Sequence, residues 1–180
     1  MQRRFFLLSA VLALTASTIA LSQTTKPLNP TSESKPIAPP FSLTSLEGQK
    51  FELAALRGKV VVMNFWFTGC EPCVAEMPRL NALVNKFKHE GVVFIAPSWD
   101  NPATLRSFLK DHKFKYHVVP NAAEMIINTY RDESPNTVFP THIVIDREGK
   151  IDTRVTGVKQ FDVLRKAIAR LVKTPSGNAK

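Results

Sequence analysis

A chain of 180 residues with 44% hydrophobic content is long enough for one domain with a real core, which excludes a disordered polymer. Its formal charge of +9 is carried by scattered lysines (Lys86, Lys88, Lys110, Lys113, Lys115) and not by a basic stripe with interleaved aromatics, so no nucleic-acid partner is expected. A preference for acidic partners or anionic membrane surfaces stays open at this charge.

Arg3 and Arg4 come first, then a nearly unbroken apolar run over residues 5–14, then small residues ending in Ala20-Leu21-Ser22. This charge–apolar–small order predicts a secretory signal peptide over residues 1–22. Residues 5–21 also approach spanning length, so a retained N-terminal membrane anchor is the alternative. The stretch "QRRFFLL" resembles a twin-arginine signal but lacks its usual flanking residues, which leaves the export route open. Both readings place the protein in the periplasm or another extracytoplasmic space, where disulfides form and persist.

Residues 23–37 are polar and proline-rich and read as an extended linker. The domain is expected over residues 38–174, with residues 175–180 as a disordered tail. Phe41 and Leu43, then Phe51 and Leu53, flank a turn at Glu47-Gly48 and suggest a short hairpin. Residues 60–67 form an apolar, β-branched run without alternation, the pattern of a strand covered on both faces. A helix follows, with Val74, Met77, Leu80, Leu83, Val84 and Phe87 at helical spacing and Gly91 past its end. Next come a strand over 92–96, a helix opening at Asn101-Pro102, a strand over 116–119 and a helix over 122–130. A strand over 141–146, a turn at Glu148-Gly149 and a partner strand over 151–158 precede a last helix bearing Phe161, Leu164, Ile168 and Leu171. Alternating strands and helices predict an α/β domain with a mainly parallel sheet, to which the last hairpin adds antiparallel pairing.

The only two cysteines, Cys70 and Cys73, lie in "NFWFTGCEPCVAEMP". Pro72 suits the first turn of a helix, which puts Cys70 at the helix start and Cys73 one turn on, on the same face. A disulfide is feasible at that spacing. As a staple it closes a tiny loop and gains little entropy. As a zinc site it is incomplete, because four ligands are needed and His89, His112, His117 and His142 are scattered, each reading as a surface or packing residue. A redox couple uses the arrangement: the free N–H groups and dipole of a helix start favour a thiolate at Cys70, and Cys73 behind it can resolve a mixed disulfide. Glu71 between them opposes that thiolate, which points to a reductant and not a strong oxidant.

"VVVMNFWFTGCEPCVAEMP" together with "VFPTHIVIDREGKI" resembles the thioredoxin-fold thiol–disulfide oxidoreductases of the TlpA and ResA type, over residues 41–172. The resemblance implies a thioredoxin fold: a mixed central sheet flanked by helices, with an N-terminal β-hairpin and a central βα insertion. It implies an exported enzyme that reduces disulfides in partner proteins, as in cytochrome c maturation. Its expected partners are disulfide-containing exported proteins, apocytochrome c among them, and a membrane thiol-relay protein that donates electrons. No cofactor beyond the Cys70–Cys73 disulfide and no metal are expected, and the chain is expected to be a monomer.

By the same resemblance Cys70 attacks and Cys73 resolves. Pro140 matches the cis-proline beside the disulfide, and the backbone of Phe139 is placed to pair with a substrate strand. Glu76 matches the glutamate that accepts the Cys73 proton, and Asn64 stands where thioredoxin carries a buried aspartate. Trp66 is expected to shape the substrate site by packing, with Glu71 and Pro72 on its rim, and Pro78 to kink the helix. Gly69, Phe139 and His142 depart from the family pattern where substrates dock. A peroxiredoxin is the nearest enzymatic rival, but its P-x-x-x-T-x-x-C motif would need Pro and Thr where Met63 and Phe67 stand. A thioredoxin-fold binding module with a merely structural disulfide is the non-enzymatic rival.

Overall fold

The computed structural model describes residues 35–130 and 138–174. The expected signal or anchor, the linker up to residue 34 and the tail over 175–180 lie outside the described residues.

Gly48 supplies the positive φ (83°) of the predicted turn, and its N–H donates to Ser45 O at 2.9 Å. The chain therefore doubles back, joining β1 (Ser42–Thr44) antiparallel to β2 (Lys50–Glu52) with Leu43 opposite Phe51. A short 3-10 turn (Leu53–Leu56) leads into β3 (Val60–Phe65), in which every residue is buried. The helix α1 (Glu71–Phe87), β4 (Val92–Pro97), α2 (Pro102–Phe108) and β5 (His117–Val119) follow. The chain closes with β6 (Thr141–Ile145), β7 (Ile151–Thr156) and α3 (Phe161–Lys173). The sheet order is β5-β4-β3-β6-β7. Strands β3, β4 and β5 are parallel, while β6 and β7 are antiparallel to their neighbours, so the sheet is more evenly mixed than "mainly parallel".

β3 does not alternate in hydrophobicity because it has a core on each side. Val60 and Val62 point, two residues apart, into a core with Leu80, Leu83, Leu164 and Ile168 from α1 and α3. Val61, Met63 and Phe65 point the other way, into a second core with Phe51, Leu53, Ile126 and Tyr130. β6 divides likewise, Val144 to the first core and Ile143 and Ile145 to the second. Position 64 on β3 and position 142 on β6 therefore share the face covered by α1, and the antiparallel register sets them directly opposite.

Three segments differ from expectation. Residues 122–130 wind as a π-helical turn over Met125–Thr129, in which the Tyr130 N–H donates to Met125 O at 2.9 Å. This wider turn carries Tyr130 inward, and its hydroxyl donates to Pro39 O at 2.5 Å. β7 stops at Thr156, because Gly157 takes φ 76° and turns the chain into a 3-10 turn over Val158–Gln160. Residues 35–37, expected in the linker, lie against the β6–β7 turn. The Ile151 N–H donates to Pro36 O, the Ala38 N–H donates to Gly149 O, and Lys35 bonds to both Asp146 and Asp152.

Candidate active site

β3 delivers the chain to the edge of the first core at Trp66, which has no exposed surface. The Trp66 N–H donates to Pro97 O, its indole N–H to Ala96 O, and its ring packs on Phe108 and Phe114 at 5.6 and 5.5 Å. Two bonds then shape the loop. The Thr68 N–H donates to the Asp100 carboxylate at 2.7 Å, and the Cys70 N–H donates to Phe67 O at 3.1 Å. Cys70 is the N-cap of α1, with Pro72 in the first turn. Its sulfur accepts the Cys73 N–H at 3.3 Å, and its carbonyl accepts the Val74 N–H.

Cys70 and Cys73 are joined as a disulfide, their Cα atoms 5.3 Å apart. Both are buried, Cys73 (2% exposed) slightly deeper than Cys70 (5%). Once the pair is reduced, the same Cys73 N–H and the helix dipole would meet a thiolate at Cys70. Glu71 and Pro72 between the cysteines are exposed.

The face of α1 beneath the disulfide is a stripe of Cys73, Glu76, Met77, Leu80, Leu83 and Phe87, apolar except for one carboxylate. Glu76 is 3% exposed. Its Oε2 lies 3.0 Å from His142 Nε2, and His142 Nδ1 lies 3.0 Å from Asn64 Nδ2. Its Oε1 has no hydrogen-bond partner among the described residues. The Tyr116 hydroxyl is also buried, with no partner among the described residues. Burial first, and then the Glu76 charge, hold that hydroxyl well above its ordinary range, so it stays protonated. Among the described residues no three His, Cys, Asp or Glu side chains converge to hold a metal.

A family model described as AhpC/TSA family matches residues 35–154. A thiol-disulfide oxidoreductase ResA of Bacillus cereus is 40% identical over 121 residues, 67% of this chain and 68% of that protein. A thiol:disulfide interchange protein of the thioredoxin family from Chlorobium tepidum superposes with a TM-score of 0.66 at 26% identity, over 77% of this chain and 97% of the other. A secreted Mycobacterium tuberculosis disulfide oxidoreductase described as homologous to DsbE superposes with a TM-score of 0.58 at 25% identity, covering 73% and 96%. The chain belongs to the AhpC/TSA family, as a ResA-like thiol–disulfide oxidoreductase. Its fold is the thioredoxin fold that the sequence resemblance implied.

Around its disulfide this ResA-like enzyme presents an aromatic rim. Phe67, Trp99 and Phe139 form a triangle with ring centroids 4.6, 5.2 and 4.9 Å apart. The Phe139–Pro140 peptide is cis. The register that pairs Phe65 with Thr141 brings Pro140 to the same end of the sheet as the loop before Cys70. Pro140 is buried and its carbonyl accepts the Gly157 N–H at 2.8 Å, whereas Phe139 is half-buried and Val138 exposed.

Trp66 is fully buried, so what it offers the site is packing at the end of β3 and no surface for a substrate. One expectation changes. His142 does not lie at the docking face, because position 142 points under α1 and is fully buried. Trp99, Asp100 and the His142 link to Glu76 were not anticipated. The first two carried one signal: they follow β4 directly, at the strand ends where α/β sheets gather their site loops.

Proposed function

We propose that this enzyme works as an exported reductant of protein disulfides, of the cytochrome c maturation type. The observation that carries this reading is the pair itself: Cys70 caps a helix start with its sulfur accepting the Cys73 N–H, while Cys73 lies deeper beneath it. Reduced Cys70 attacks a substrate disulfide as the thiolate, forming a mixed disulfide and releasing one substrate thiol. Cys73 gives its proton to the buried Glu76 carboxylate and attacks Cys70. The Cys70–Cys73 disulfide forms and the second substrate thiol leaves, so two electrons have passed to the substrate. A membrane dithiol protein restores the reduced pair. The backbone before Pro140 and the aromatic rim receive the substrate strand. Export is supported by the charge–apolar–small order of residues 1–22 and by the secreted character of the mycobacterial relative.

Cys73→Ala should leave Cys70 able to attack but unable to release. Expressed in cells with its own N-terminus, this variant is expected to hold exported thiol proteins in dithiothreitol-sensitive adducts, with c-type apocytochromes among them. Adducts with cytoplasmic proteins only, or none at all, would defeat the reading.

A further inference from the structure

The buried partner of Glu76 is a residue to which the proposed cycle assigns nothing. We propose that His142 is the positioning residue of the redox centre: it fixes the protonation geometry of Glu76 so that one carboxylate oxygen is reserved for the Cys73 proton. This rests on the reading of Glu76 as the acceptor for Cys73.

The Asn64 amide nitrogen faces His142 Nδ1 at 3.0 Å. An amide N–H2 only donates, so Nδ1 is the accepting nitrogen and a neutral ring carries its proton on Nε2. Nε2 is 3.0 Å from Glu76 Oε2, so it donates there and Oε2 is occupied as an acceptor. Oε1 is buried and takes part in no hydrogen bond among the described residues. The three-residue spacing of Cys73 and Glu76 puts both on one face of α1. The two oxygens thus differ: Oε2 is tied to the imidazole, and Oε1 is the free lone-pair site on the side chain that shares a face with Cys73.

Asn64 from β3 bonds to the pair, Cys73 shares the α1 face with Glu76, and Tyr116, ahead of β5, meets the Glu76 charge and stays protonated. Asn64 carries no charge, so Glu76 is the carboxylate that His142 meets in this network. In the resolving step the Cys73 S–H bond breaks, its proton passes to Oε1, and the sulfur lone pair forms the bond to Cys70 while the bond to the substrate sulfur breaks. Holding Oε2 with a ring donor means that the proton arrives on one atom, in a buried site where an unanchored carboxyl would rotate.

Reduced protein mixed with Ellman's reagent separates the steps. The first thionitrobenzoate released reports attack by Cys70 and the second reports resolution by Cys73. His142→Leu removes the donor and is expected to slow the second release about tenfold while leaving the first within about twofold. His142→Gln offers an amide N–H near the Nε2 position and should recover most of the loss. Glu76→Gln should slow the second release about 100-fold, and adding His142→Leu to it should slow it no further.

A folded His142→Leu variant that resolves at the wild-type rate, while Glu76→Gln stays slow, overturns the role of His142 and leaves that of Glu76 standing. Glu76→Gln resolving at the wild-type rate overturns both. The unmutated protein gives a second test. Nitrogen-15 signals of the His142 ring should show Nε2 protonated and Nδ1 bare, with the Nε2 signal shifting on reduction of the disulfide. The opposite tautomer, or a ring indifferent to reduction, refutes the proposal.

Discussion

The carboxylate of Asp100 does for the loop before Cys70 what no residue inside that loop can. It accepts the Thr68 N–H at 2.7 Å and also the Ser98 hydroxyl at 3.3 Å, tying the strand end of β3 to that of β4. A charged acceptor on a half-buried N–H contributes about 1.5–3 kcal/mol. Asp100→Ala is therefore expected to lower unfolding free energy by that amount in urea titrations, and Asp100→Asn, which keeps an acceptor, by less. Cys70 and Cys73 stood out in the sequence because their spacing carries chemistry locally, and Glu76 only through the family resemblance. Asn64 and His142 meet only through the β3–β6 register, where a one-residue slip would send either to the opposite face, and Asp100 reaches Thr68 only because the loops after β3 and β4 lie at the same sheet end.

At the scale of elements, long apolar runs were the legible part. β3, α1 and α3 lie where the periodicities place them, because burial on two faces or on one stripe leaves a clear pattern. The π-turn resembles plain helix in the sequence because its apolar Met125, Ile126 and Ile127 fit either winding, and the Tyr130 hydroxyl that follows it bonds to distant Pro39, a contact no local pattern announces. The seam at residues 35–37 was also hidden, since a proline-rich stretch gives no sign of the strand edge it meets. There Asp152 receives Lys35 and Arg170, each at 2.5 Å, and the Thr153 hydroxyl at 2.7 Å. Burial works to raise the Asp152 carboxyl, but the Lys35, Thr153 and Arg170 contacts outweigh it and hold the group below its ordinary 3.8. A depressed carboxyl adds stability that is complete above 3.8 and is lost as pH falls through the lower folded value. The thermal unfolding midpoint of the oxidised protein should therefore fall below about pH 4, and Asp152→Asn should flatten part of that fall while lowering stability at neutral pH.

Across the whole molecule, the disulfide is a small contributor to folding and a large one to chemistry. Cys70 and Cys73 are three residues apart, and chain-entropy reasoning for so short a loop gives about 2 kcal/mol. With Glu71 disfavouring the Cys70 thiolate, little should reward the reduced state in return. The oxidised protein is expected to be the more stable form, by up to about 2 kcal/mol, as read from urea midpoints with and without dithiothreitol. A reduced form more stable than the oxidised one would mark an oxidant and would sink the reductant assignment.

The seam at residues 35–37 has one more consequence. Ile37 bridges to Lys150 at the start of β7, whereas Thr156 at its other end sits opposite Thr141, next to Pro140. Six residues of strand, about 20 Å, separate the two ends. Ile37 is exposed, so a dye carried at that position would sit at the pole away from the sulfurs and report on the molecule without covering its reactive end.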